Sequence, residues 1–122
     1  MSRDRRLYRF DIVEYAGHIG DFTRTMSFDE FTGDLKTQIA VLRCLEIIGE
    51  AIKNLSADEL ALHAEIPWRR IARFRDRLAH AYFGIDLDIV WDVVQNKLPE
   101  VISAVHQMIA SDLGNVAGGE TL

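Results

Sequence analysis

The sequence predicts an all-α protein, an antiparallel bundle of about four main helices. Three observations carry this expectation. Apolar residues recur at steps of three and four through most of the chain. Capping and breaking residues stand where those stripes begin and end. Strand-type alternation is hard to find.

The first helix is expected over about Asp4 to Thr25, with Leu7, Phe10, Ile12, Val13, Ala16, Ile19 and Phe22 as its apolar stripe. Ser27 and Glu30 form a capping-box pattern that opens a new helical turn, and Gly33-Asp34 interrupts it. A long helix follows from about Asp34 to Asn54, marked by Leu35, Ile39, Leu42, Leu45, Ile48 and Ile52. At 1.5 Å per residue it spans roughly 30 Å, the width of a small domain. Ser56 and Glu59 repeat the capping-box pattern ahead of a short turn. Pro67 suits the first position of the next helix, where its missing N–H costs nothing. That helix carries Ile71, Phe74, Leu78 and Ala81, and Gly84 ends it. Asp86 caps the last helix, with Ile89, Val90, Val93, Val94 and Leu98 on its inner side. Pro99 should kink or restart it before Val101, Ile102, Val105 and Ile109 continue the stripe. Residues 1–112 are expected to form one domain, with 113–122 a disordered tail marked by Gly114 and Gly118-Gly119. An apolar helix face left over after this packing would favour a homodimer.

The 122 residues, 48% of them hydrophobic and 27% charged, suffice for a core without disulfide or metal staples. The one cysteine, Cys44, excludes an internal disulfide framework and reads as a small core residue. The charged start of the chain offers no secretory signal, and no apolar run reaches the ~20 residues of a membrane span. A cytoplasmic protein without membrane contact is expected. Trp68 and Trp91 read as core anchors. His18, His63 and His106 have no ligand-like companions, no zinc or phosphate-loop pattern occurs, and no cofactor is called for.

The net charge of −5 argues against broad electrostatic binding of nucleic acid. Its distribution argues otherwise. Arg3, Arg5, Arg6 and Arg9 cluster at the start, and Arg69, Arg70, Arg73, Arg75 and Arg77 cluster in one helix. From Leu78 onward only Lys97 opposes six carboxylates. A phosphate within a Debye length of ~8 Å responds to the local patch more than to the total.

The segment Arg73-Phe74-Arg75-Asp76-Arg77-Leu78-Ala79-His80-Ala81-Tyr82 concentrates the reactive groups. On a straight helix Arg75 and Tyr82 share a stripe, while His80 stands about 140° from Arg75 at 100° per residue. One straight helix does not converge all three. Either the helix unwinds before Gly84, or a second copy completes the site across a two-fold axis. The second arrangement suits RNA cleavage. RNA brings its own nucleophile, the 2′-hydroxyl, so a base, an acid and positive charge at the phosphorane suffice, without a metal. Two copies supply two His80 imidazoles for proton transfer. Arginine holds phosphate bidentately, Arg73 and Arg77 share a face with His80 as candidate RNA contacts, and Tyr82 can hydrogen-bond or stack on a base.

The pattern Arg75-x-x-x-x-His80-x-Tyr82 resembles the signature of HepT-like proteins, within the HEPN superfamily. The resemblance extends through Arg43-Cys44-Leu45-Glu46-Ile47-Ile48-Gly49-Glu50-Ala51, Ile66-Pro67-Trp68, Tyr82-Phe83-Gly84-Ile85-Asp86, Val90-Trp91 and Leu98-Pro99, from about Arg9 to Ile109. Asp76 departs from the pattern, because many HEPN proteins carry Asn directly after the motif arginine. The resemblance implies a HEPN-like bundle and a dimeric ribonuclease toxin with the motif at the subunit cleft. It implies Arg75 and His80 as catalytic residues. It also implies a minimal nucleotidyltransferase antitoxin that transfers AMP onto Tyr82, where the added phosphate would occupy the place of the RNA phosphate.

Arg43 and Glu46, three apart in an apolar helix, are expected to pair. They either solvate one edge or line the dimer cleft and support the motif. Arg69 and Arg70 read as a solvated helix face. The competing reading of the whole chain is a non-catalytic helical module that binds a nucleotide or a partner.

Overall fold

The computed structural model describes residues 4–80 and 85–120, with side chains for residues 4–74 and 85–112. The described chain is all-helical. Its elements are α1 (Arg5–Thr23), α2 (Phe28–Thr32), α3 (Leu35–Lys53), α4 (Ala57–Ala61), α5 (Trp68–His80), α6 (Leu87–Asp92), a π-helical turn (Val93–Lys97) and α7 (Leu98–Glu120). The expected capping signals set most of the described boundaries. Asp34 accepts a hydrogen bond from the Thr37 N–H at 3.0 Å and starts α3. Asn54 caps its other end. Both capping boxes close, Ser27 with Glu30 and Ser56 with Glu59. Asp86 accepts from the Asp88 N–H at the start of α6. Pro67 stands one residue ahead of its expected place: α5 opens at Trp68, and the Pro67 carbonyl accepts from the Ile71 N–H. Gly84 lies outside the described residues.

The bundle is organised around α3, which packs on α1 along one side and on α5 along the other, while α7 covers α1. Ile12 and Ile19 of α1, Val41, Leu45 and Ile48 of α3, and Ile71 of α5 have no solvent exposure. Each such side chain contributes roughly 1.5–3 kcal/mol relative to exposure. Phe31 is likewise fully buried and packs on Trp91, with ring centroids 5.1 Å apart. The Gln38 side-chain amide donates to the Phe31 and Thr32 carbonyls, which ties α2 to the first turn of α3. Trp68 is buried, and its indole N–H donates to the His63 carbonyl at 3.0 Å; Trp91 is only partly buried.

Pro99 alters the helix ahead of it. A proline ring clashes with the carbonyl four residues back and supplies no N–H. The ladder widens, and the Leu98 N–H reaches the Val93 carbonyl five residues back in a π turn. Val93, Val94, Leu98 and Val101 all remain buried. The rod then continues as helix to Glu120. Extending a helix that is already nucleated adds a hydrogen bond for each residue fixed.

Two expectations are corrected. Leu7, Phe10, Phe22, Leu35 and Ile39 follow the helical period but stand 44–67% exposed. Leu7 and Phe10 border a hollow beside Ile109 and Asp112 of α7. Arg9 is not part of a solvent-facing basic cluster. Its side chain is 9% exposed, its Nε donates to Glu59 Oε2 at 2.7 Å, and its Nη1 pairs with Asp112. One guanidinium thus ties α1 to α4 and α7. Burial pushes the Glu59 carboxyl up, but hydrogen bonds from Arg9 and Ser56 outweigh it and hold the pKa below its ordinary 4.5.

Removing one partner of a buried pair leaves the others uncompensated, so Arg9→Ala should lower stability by about 3 kcal/mol in urea unfolding. The pH dependence has a fixed sign. Glu59 has a depressed folded pKa, so its contribution is complete above the unfolded value of 4.5 and fades as pH falls through the lower folded value. The stability gap between the natural protein and Glu59→Gln should therefore be full at pH 7 and close below pH 4.5.

Candidate functional site

Helix α5 carries most of the candidate residues. Its inner face is set by Trp68, Ile71, Ala72 and Phe74, all buried. Arg69, Arg70 and Arg73 are exposed on the outside. The helical backbone continues to His80, so the positions of Arg75 and His80 stand roughly 7.5 Å apart along the axis at 1.5 Å per residue. The side chains of Arg75, Asp76, Arg77 and His80 lie outside the described residues, as does all of Tyr82.

On α3 the Arg43 guanidinium and Glu46 carboxylate pair at 3.2 Å, as their spacing predicted. Arg43 is 62% exposed and Glu46 27%. Both line a shallow groove of about 310 Å³ with Tyr8 and Asp11 of α1 and Ile47 and Glu50 of α3. Among the described residues no α5 side chain lines this groove. The structure therefore does not join the α3 pair to Arg73 within one cavity.

Arg73 belongs to a different groove, of about 730 Å³, between α4 and the first half of α5. Arg69 and Arg70 stand beside it over a floor that includes Trp68, Phe74, Leu60 and Ile89. Sequence reasoning treated Arg69 and Arg70 only as a solvated face. They are exposed, but they also rim this apolar hollow. The available signal was Ile66-Pro67-Trp68 directly ahead of them, an apolar block feeding a basic one.

The electrostatics separate these arginines from others. Arg6, Arg9, Arg24 and Arg43 each pair with a carboxylate. Among the described residues Arg69, Arg70 and Arg73 pair with no carboxylate. Cys44 is buried, and burial pushes its thiol up, only partly offset by the Arg43 charge. It sits as a core residue rather than a nucleophile. Among the described residues no three His, Cys, Asp or Glu side chains cluster as metal ligands. Also among them, no helix is long and apolar enough to cross a membrane.

Residues 12–108 match the family model described as ribonuclease HepT-like. The chain belongs to the HepT-like ribonuclease family. A relative from Thermococcus cleftensis, named as a ribonuclease HepT, is 50% identical over 101 residues, 83% of this chain and 92% of its own length. Two relatives from Methanocaldococcus jannaschii, named as RNases, are 49% and 37% identical over 108 residues, each covering 88% of this chain and 89% of its own length. No solved structure matches the chain. The HepT-like match encloses α3, α5 and the whole Arg75-to-Tyr82 motif.

An exposed ion pair three residues apart contributes only about 0.5 kcal/mol. Arg43→Ala should therefore unfold at nearly the same urea concentration as the natural protein. A loss of activity in that variant at unchanged stability would place Arg43 in the working site; unchanged activity would make it a solvated edge.

Proposed function

We propose that this HepT-like protein is a homodimeric, metal-independent endoribonuclease toxin whose site lies where two copies meet. The observation that supports this most is the family match over residues 12–108, a range that includes Arg75, His80 and Tyr82. In this reading His80 of one copy takes the proton from the 2′-hydroxyl. The freed oxygen attacks phosphorus, and His80 of the other copy gives a proton to the departing 5′-oxygen. The chain breaks into a 2′,3′-cyclic phosphate and a 5′-hydroxyl, so the protons balance over the pair. Arg75 from each copy stabilises charge on the phosphorane. Arg73 and Arg77 contact the RNA, while Arg43, Glu46 and Asp76 support the motif.

Self-association in this reading would cover some of the exposed Leu7, Phe10, Phe22, Leu35 and Ile39. Regulation follows from the same geometry. A minimal nucleotidyltransferase antitoxin transfers AMP to Tyr82, forming a phosphodiester on the phenolic oxygen with release of pyrophosphate. The bulk and negative charge then exclude RNA phosphate from the cleft.

Cleavage of RNA by the pure protein should persist in excess chelator. Arg75→Ala and His80→Ala should each lower the rate at least a hundredfold, the scale of a lost proton-transfer group, with unchanged far-UV circular dichroism. A folded His80→Ala protein that cleaves at the natural rate would overturn the assignment. Tyr82→Phe should accept no AMP when incubated with ATP and the nucleotidyltransferase; labelling of that variant would place the modification elsewhere.

A further inference from the structure

The groove between α4 and the first half of α5 carries an assignment of its own. Its volume of about 730 Å³ falls in the range of pockets that enclose small organic groups. Its floor is apolar and partly aromatic, from Trp68, Phe74, Leu60 and Ile89. Its edge is cationic. Arg69 and Arg73 are neighbours at a spacing of four on the helix surface, and Arg70 and Arg73 at a spacing of three. Two described carboxylates of the neighbouring segments have other neighbours. Glu59 is held by Arg9 and Ser56, and Glu65 lies 3.9 Å from His63. In a chain with net charge −5, three neighbouring arginines on one hollow, with no acidic partner among the described residues, suit an anion over an apolar bed.

We infer that this groove is a substrate subsite that takes one nucleotide of single-stranded RNA, its base on the apolar floor and its flanking phosphates on Arg69, Arg70 and Arg73. The inference rests on the ribonuclease reading and specifies where that substrate runs. A base can lay its flat apolar face on the part-exposed Leu60, Pro67 and Ile89, and arginine offers a planar fork to phosphate. A duplex keeps its bases stacked inside, so the subsite selects unpaired RNA. The same helix continues from Arg70 to His80, roughly 15 Å along its axis. The bound nucleotide therefore lies beside the cleaved linkage rather than at it, and α5 serves as the rail along which the strand is held.

The test is anisotropy of a labelled single-stranded RNA oligomer with full-length His80→Ala protein, titrated across salt concentrations. Adding Arg69→Gln and Arg70→Gln together should weaken binding about tenfold at physiological salt and flatten the salt slope by about 1.4, the value for two lost phosphate contacts on a single strand. Ala61→Trp, at an exposed position lining the groove, should weaken binding without changing that slope. Natural affinity and slope in both variants would overturn the subsite. Displacement of the RNA by equimolar free AMP would also overturn it, making the groove a mononucleotide site. Cleavage by the unsubstituted protein is measured in parallel. Intact cleavage with unaltered variant binding defeats the groove alone, whereas absent cleavage with weakened variant binding defeats the nuclease reading alone.

Discussion

The packing of α3 between α1 and α5 is the constraint on which the rest of the molecule depends. Val41, Leu45 and Ile48 are fully buried, and the two neighbouring helices take their positions from them. A helix buried on two sides keeps only a narrow outward edge. Arg43 stands on that edge, with Glu46 partly covered and paired to it. The position of α5 follows, because Ile71 and Phe74 face inward while Arg69, Arg70 and Arg73 of the same helix are exposed. The basic face is a consequence of core packing. The Arg9 bond to Glu59 holds α4 in place from the opposite direction, and α4 forms one wall of the arginine-rimmed groove.

Charge in this protein is spent in two ways. Arg9 is enclosed and compensated by two carboxylates, which makes it a structural tie between distant parts of the chain. Arg69, Arg70 and Arg73 are open, and no described carboxylate pairs with them. A ribonuclease with an acidic net charge benefits from such a separation. The global charge disfavours indiscriminate binding of polyanions, and in the proposed reading the local arginines of α5 receive the strand.

Much of the fold was legible in the sequence because its signals are local. Asp34, Asn54, Ser27–Glu30 and Ser56–Glu59 each act within a few residues of themselves, and each does what its spacing predicts. Pro99 announced a disturbance, though not its form. The sequence pattern alone does not distinguish a kink from the π turn that forms at Val93–Lys97. The role of Arg9 was not legible, because its partners lie far along the chain and meet it only after folding. The exposure of Leu7, Phe10 and Ile39 was hidden for a related reason: periodicity defines an apolar face without saying how much of it neighbouring helices cover. At the site, the Arg43–Glu46 pair was readable from its spacing. The groove beside Arg70 was not, since α4 and α5 build it jointly.

The central claim is that neither copy alone assembles the cutting site, because helical spacing sets Arg75 and His80 on different faces of one rod. The most direct measurement is specific RNA-cleaving activity over a dilution series, with the dimer fraction determined by sedimentation at each concentration. Activity per chain should fall in proportion to the dimer fraction. A monomer that cleaves RNA with undiminished activity per chain would contradict the claim.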